Sequence, residues 1–398
     1  MSDSLTLNDV LIGIVQRFPR PYDPNEAALL DFLRQGDEAA FAQGWQQLCT
    51  DSLSTVALFG FLFPDFLAAN KSLEGMLNQI ADPELSCPDY VASVHQARAD
   101  WVASQSDLSS SDSLFGGLLN DLLNGNDQRA FRLLSRYYVF RDLLVGYLIR
   151  PDLLPWLNRT LDILHCQKKA WTLSYCDGYA YQGYARLGIC GVKPTEERLA
   201  RYEVSRWLDD KAEVFDIGAN NAFLSLELAR QTGFVHAIEF NPFLVEIGRN
   251  AQTLLGQKNC LIEPGDFLSF RPQKKYDAVF SLANHCTIDG KLSTQFEDFI
   301  AKIWAMLRDD GILFFESHNV FGNGSGQAGD DGDLDAKFDV VERYFKVEAH
   351  RMVERFTPRD DIDKLFIVLR KRPYNRQAVR QFSLAYAKQH YQFVAPTP

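Results

Sequence analysis

A chain of 398 residues, 46% hydrophobic and 13% aromatic, is long enough for two domains and too apolar to be disordered. Its formal net charge of −11 argues against a protein built to grip a phosphate backbone. No run of about 18 uncharged apolar residues is present to span a bilayer.

Met1 to Asp9 is polar and acidic, without the basic and apolar regions of a secretory leader, so a cytoplasmic location is expected. The 7 cysteines are scattered and form no CxxC pair, which favours reduced thiols over a zinc site or a disulfide frame.

Residues 1–165 read as helical throughout. Apolar residues recur at helical spacing from Asn8 to Phe18, and Pro19 and Pro21 end that helix. Pro24-Asn25-Glu26 opens a second helix, Leu53 to Phe66 is apolar on all sides, and Leu114 to Leu123 and Gln128 to Arg150 follow. Such a domain suits docking of an acceptor or formation of a homodimer. Residues 166–211 form an aromatic connector containing Trp171, Tyr175, Tyr179, Tyr181, Gln182 and Tyr184. It reads either as packing between domains or as a lid, with Tyr181 and Gln182 the lid contacts, since aromatic walls with polar handles suit ligand pockets. Thr195 is a candidate N-cap for a helix running to Leu208.

From Ala212 the pattern changes to alternating strands and helices. Strands are expected at 213–217, 234–239, 259–263, 276–282 and 311–316, and helices at 222–231, 242–254 and 294–308. A helix from Leu334 to Tyr344 then precedes strands 346–354 and 364–370, with Thr357-Pro358 suggesting a hairpin and an antiparallel strand at the sheet edge. The domain covers 212–372, and the tail 373–398 has room for a helix.

The chemistry concentrates at the carboxyl ends of these strands, where open α/β sheets bind ligands. Asp216-Ile217-Gly218-Ala219-Asn220-Asn221-Ala222 joins the first strand to a helix, an arrangement that offers backbone N–H groups to a nucleotide-like ligand. Asn220 tolerates a positive φ better than most residues, and the methyl of Ala222 fits if that position is already helical. Glu239 ends the second strand about 20 positions after Gly218, the spacing at which an acid meets a ribose diol. A dinucleotide turn would require a small residue where Phe223 stands, which disfavours a nicotinamide cofactor.

On these residues the segment 168–372 resembles class I S-adenosylmethionine-dependent methyltransferases. The resemblance implies a Rossmann-like α/β fold: a seven-stranded, mostly parallel sheet, here preceded by an all-helical domain. It implies that Asp216, Gly218, Asn220, Glu239, Asp266, Phe267 and Ser281 hold S-adenosylmethionine, with Asp266 on the adenine amino group and Phe267 covering the ring. His285 and His318 follow the fourth and fifth strands and are the expected catalytic pair, for alignment of an O–H or N–H acceptor or removal of its proton. Asn284 and Glu316 stand beside them as acceptor contacts.

Asn284-His285 departs from the Asn-Pro-Pro-Tyr signature of enzymes that methylate amide or ring nitrogens. The strings Ala283 to Thr287 and Phe315 to His318 resemble a bacterial group of methyltransferases whose acceptor is not assigned. A small-molecule, sugar- or peptide-like acceptor is expected, rather than nucleic acid or a membrane. The alternatives are a tRNA or protein methyltransferase and a non-catalytic binding protein on the same frame. The acidic run Asp330 to Asp335 lacks the ligand order of a calcium loop and reads as a pocket rim, so no metal site is expected.

Overall fold

The computed structural model describes residues 6–16, 19–20, 22–52, 127–171, 178–284, 296–317, 334–353, 364–389 and 392–394. The expected helices at 53–66 and 114–123, the Thr357-Pro358 hairpin turn and most of the acidic loop lie outside the described residues. The chain divides into two compact units, Met1–Pro194 and Thr195–Pro398.

In the N-terminal unit the described helices are α1 (Leu7–Gln16), α2 (Pro24–Gln35), α3 (Glu38–Asp51), α4 (Asp127–Leu148) and α5 (Leu154–Ala170). α2 and α3 start on aspartates: Asp23 accepts from the N–H of Asn25, and Asp37 accepts from the N–H of Ala39. Leu29, Trp45, Phe140, Leu144 and Leu157 are buried, as helical spacing requires.

The aromatic stretch after Gly178 is tied into this unit by buried polar groups. Asp142 of α4 accepts from the Tyr179 hydroxyl and, at 3.0 Å, from the Cys190 N–H. The Asn25 amide donates to the Ala185 carbonyl at 2.6 Å. Arg141, fully buried, pairs with Asp23 and lies 3.3 Å from Asp142. Burial outweighs that neighbour and pushes the Asp142 carboxyl up to about 7.

The C-terminal unit is a single mixed sheet with helices on both faces. Its strands are β1 (Glu213–Ile217), β2 (Phe234–Glu239), β3 (Cys260–Pro264), β4 (Tyr276–Leu282), β5 (Leu307–Glu316), β6 (Phe345–Val353), β7 (Lys364–Lys371) and β8 (Gln392–Val394). The order is β8-β6-β7-β5-β4-β1-β2-β3, with β1 to β5 parallel and β7 antiparallel to both β5 and β6. The expected seven strands are present, and the tail adds an eighth, antiparallel to β6. The antiparallel strand β7 therefore lies inside the sheet, not at its edge. β5 begins earlier than the sequence suggests because it continues across a bulge, where Asp310 takes φ 62°.

The helices are α6 (Thr195–Tyr202), α7 (Phe223–Leu228), α8 (Pro242–Leu255), α9 (Phe296–Met306), α10 (Leu334–Tyr344) and α11 (Leu384–Gln389). Thr195 is the first residue of α6, not its cap, and its buried hydroxyl has no hydrogen-bond partner among the described residues. α6 stops at Tyr202, short of Leu208.

The strands are apolar on both faces, as buried parallel strands must be. Phe215, Ile217, Val279, Leu313, Phe315 and Ile367 share one core with α9, α10 and α11. On the opposite face an aromatic row crosses the sheet: Phe280 stacks on Phe314, Phe314 on Phe366, and Phe366 on Tyr202 of α6 at 4.0 Å and 5°. The tail is fastened by Glu342 of α10, whose carboxylate accepts from the N–H groups of Gln381 and Phe382, while the Phe382 ring packs on Phe338 at 4.2 Å. Phe382→Ala is expected to lower the unfolding free energy of this unit by about 3 kcal/mol, measured by denaturant titration.

Candidate active site

Asp216 is the last but one residue of β1 and alternates away from Phe215 and Ile217, so it faces the layer that contains α6 and α7. The Ser225 hydroxyl of α7 donates to it at 2.6 Å. Burial raises its carboxyl to about 6, against the lowering effects of Ser225 and of the Arg198 guanidinium.

The turn after β1 is then built from left-handed residues: Gly218 (φ 62°), Asn220 (φ 56°) and Ala222 (φ 58°). A Cβ added at Gly218 would touch the Asn284 side chain at 3.5 Å, an ordinary contact, and Gly218 itself is exposed. Ala222 is not helical, contrary to the expectation; it precedes α7 in the left-handed region and is fully buried. The space for its methyl comes from α8, where Gly248 stands opposite: a Cβ built on Gly248 would lie 3.1 Å from that methyl and 3.0 Å from the Asn221 carbonyl. Glycine is needed at this crossing, and the chain carries it on the facing helix.

Glu239 holds two loops. One carboxylate oxygen accepts from the Asn220 N–H at 2.8 Å and the other from the Asn241 N–H at 2.9 Å. Burial moves its carboxyl above the usual range, with the amides of Asn241, Asn220 and Phe240 pulling the other way. Each oxygen keeps acceptor capacity beyond these bonds. Phe240, which the sequence did not single out, follows Glu239 and is 65% exposed.

Asp266 ends the loop after β3. One of its oxygens accepts from the Leu268 N–H at 2.9 Å, and its carbonyl accepts from the Phe270 N–H, so it caps a turn. Phe267 is 2% exposed, packed edge-on against Phe299 with the Lys302 ammonium 4.6 Å over its ring. It thus lacks the open ring face that the resemblance implies, because the core has taken it up.

Ser281 and Asn284 form a strap between strand ends. The Ser281 hydroxyl donates to the Asn284 amide oxygen at 2.7 Å, and the Asn284 amide donates to the Ile217 carbonyl. Both side chains are buried, and they brace the Gly218 turn from the β4 side.

Glu316, 1% exposed at the end of β5, has its oxygens engaged by cations: Arg198 of α6 at 3.0 Å and Lys364 of β7 at 3.5 Å. Neither partner was evident in the sequence, since α6 and β7 meet Glu316 only in the folded sheet. Tyr181 and Gln182 belong to the N-terminal unit. There Gln182 pairs with Lys193 in a two-residue parallel ladder and the Lys193 ammonium lies 5.2 Å over the Tyr181 ring. His285 and His318 lie outside the described residues.

The strand order with Gly218 and Glu239 at adjacent carboxyl ends agrees with the family comparison: residues 208–357 match the model of a methyltransferase domain. This segment is similar to a methyltransferase domain. An uncharacterised protein of Methanocaldococcus jannaschii is 30% identical over 87 residues, which are 21% of this chain and 34% of that one. The chain thus spans about a third of the length of the curated relative it matches. Among solved structures, the N-methyltransferase NodS of Bradyrhizobium japonicum aligns at 17% identity over 44% of this chain and 94% of its own, with a TM-score of 0.36. A sarcosine dimethylglycine methyltransferase from Galdieria sulphuraria aligns at 12% identity over 44% and 84%, with a TM-score of 0.38. No helix among the described residues is long and apolar enough to cross a membrane.

Two outcomes follow for this domain. Gly248→Ala is expected to cost about 1–3 kcal/mol of stability, and adding Ala222→Gly should recover part of that loss, read as a double-mutant cycle in denaturant. Asp216 has a carboxyl raised in the folded state, so its contribution to stability is full below its unfolded value and is lost as pH rises through about 6. Asp216→Asn should therefore stabilise the domain more at pH 8 than at pH 4, measured by thermal unfolding at both.

Proposed function

We propose that the chain transfers the methyl group of S-adenosylmethionine to an oxygen or nitrogen nucleophile of a small-molecule, sugar- or peptide-like metabolite. The observation that carries this reading is Glu239. It sits at the end of β2 with its oxygens braced by the Asn220 and Asn241 amides, next to the exposed turn at Gly218.

The residues present fit the cofactor. Gly218 is exposed at the turn, and the buried Asn220 amide oxygen has no hydrogen-bond partner among the described residues, so it retains an unused acceptor. In this reading Gly218 and Asn220 receive the amino-acid end, Glu239 accepts from the ribose hydroxyls, and Asp266 serves the adenine amino group. Phe240, exposed beside Glu239, supplies the aromatic cover that Phe267 does not. When bound, the cofactor supplies a methyl group made electrophilic by its sulfonium. What remains for the chain is to align the acceptor and take its proton.

Glu316 is not that base, because Arg198 and Lys364 hold its oxygens and stabilise the carboxylate. We assign the role to His285 and His318, which directly follow Asn284 and Ser317 in the sequence. The choice of a metabolite over nucleic acid is supported by the net charge of −11. The accommodation of Ala222 by Gly248 removes the motive for reading the domain as a non-catalytic relic.

Calorimetric titration of the full chain with S-adenosylhomocysteine tests the cofactor half. Binding is expected, weakened about 30-fold by Glu239→Ala, which corresponds to about 2 kcal/mol. Absence of binding at millimolar ligand would sink the proposal. His285→Ala and His318→Ala should keep that affinity while losing turnover on an acceptor panel; undiminished turnover in both would remove them from the chemistry.

A further inference from the structure

The N-terminal unit holds a buried ionic cluster that the proposed chemistry does not use. Arg20, Asp23, Glu26, Arg141 and Asp142 are each 9% exposed or less, Arg141 and Asp142 not at all. They come from the chain ahead of α2, from α2 itself and from α4, and they close on the segment 179–193. Asp142 accepts from the Tyr179 hydroxyl and, at 3.0 Å, from the Cys190 N–H. Arg20 donates to the Gly191 carbonyl at 3.3 Å and to the Tyr138 hydroxyl. Asn25, held by Asp23 at 3.0 Å, donates to the Ala185 carbonyl at 2.6 Å. The segment is also tied across itself: the Gly191 N–H donates to the Tyr179 hydroxyl at 3.0 Å, and the Tyr184 N–H to the Ile189 carbonyl at 2.7 Å.

Within this cluster three carboxyls meet two guanidiniums. Arg141 spans all three acids: it pairs with Asp23, lies 3.3 Å from Asp142 and reaches only to 4.0 Å of Glu26. Arg20 gives Glu26 its backbone N–H at 2.8 Å. The pairing is weakest at Glu26, whose Oε2 has no hydrogen-bond partner among the described residues. The other titratable groups facing the cluster are neutral, because burial pushes the Tyr137, Tyr138 and Tyr179 hydroxyls up and the Cys190 thiol up to about 11. Of the segment's own cations, Lys193 lies 5.2 Å over the Tyr181 ring and Arg186 donates to the Tyr184 hydroxyl at 3.4 Å. Full ionisation would therefore leave one negative charge uncompensated in the interior, a cost that retaining a proton removes.

We infer that this cluster is a proton-held latch: one proton kept on Glu26 or Asp142 balances its charge and locks the segment 179–193 to α2 and α4, and loss of that proton loosens the segment. Tyr181 and Gln182 lie within it, so the same proton sets how freely they move. None of this depends on which ligand the C-terminal unit takes. Burial raises the Glu26 carboxyl and brings that of Asp142 up to about 7, and since Arg141 acts on both, the two titrate together. A carboxyl held above its released value makes the latch tightest in acid, and that advantage is lost as pH rises through about 7.

Hydrogen–deuterium exchange of the full chain, read by mass spectrometry from pH 5 to 8.5, tests this in wild type, Asp142→Asn and Glu26→Gln. Each variant is the neutral isostere of one acid. After correction for intrinsic exchange, wild-type protection of peptides containing Cys190 and Gly191 should fall about tenfold per pH unit up to about 7 and then level off. Peptides from α3, which makes none of these bonds to the segment, should show no such fall. The fall should vanish in Asp142→Asn or in Glu26→Gln, whichever acid carries the proton. Wild-type protection that is independent of pH overturns the latch, and so does a fall that persists in both variants. A fall of equal size in α3 overturns it as well, because the whole unit is then opening. The wild-type comparison of the two regions decides by itself if a variant does not fold.

Discussion

Where parallel strands end, the backbone N–H groups of the loops that follow have no neighbouring strand to bond to, and burial makes leaving them unpaired costly. Glu239 meets this constraint for two loops at once, accepting from Asn220 after β1 and from Asn241 after β2. Asn284 does the converse, donating to the Ile217 carbonyl where β1 ends. The turn at Gly218 is therefore held from two neighbouring strands by groups already in place, and little ordering cost is left for a ligand that enters it.

The two faces of the sheet do different work. The face under α9, α10 and α11 is mainly apolar and aromatic, a core whose role is cohesion. The opposite face begins with the aromatic row from Phe280 to Tyr202 and ends, at the carboxyl edge, in Asp216, Arg198, Glu316 and Lys364. Charges this deeply buried persist only when paired, so their positions are as fixed as those of the aromatics beneath them.

Much of this was legible in the chain because it follows from short-range pattern. β1, β2 and β4 and the helix α10 begin and end where apolar runs, glycines and capping residues put them. The Gly218-to-Glu239 spacing likewise anticipated the pairing of the first two strand ends. What escaped depended on contacts between elements distant in sequence. Ala222 reads as an extension of its helix until Gly248 of α8 is seen to make room for it in a left-handed conformation. Glu316 reads as a polar group at a pocket until Arg198 and Lys364 are found on its oxygens. Phe267 and Phe240 look equivalent as aromatics following an acid, and only the packing of Phe299 and Lys302 decides which one is buried.

The strand order has a consequence for how this sheet is completed as the chain is made. Among the described strands β6 touches only β7 and β8, both of which follow it in sequence, and β7 is what joins β6 to β5. When residue 353 leaves the ribosome, β6 has no partner, and its amides and carbonyls stay unpaired until residues 364–371 arrive and fit between it and β5. The parallel half of the sheet, with the Gly218 turn and Glu239, needs none of this. The parallel half can assemble first, and the other half waits for residues 364–371.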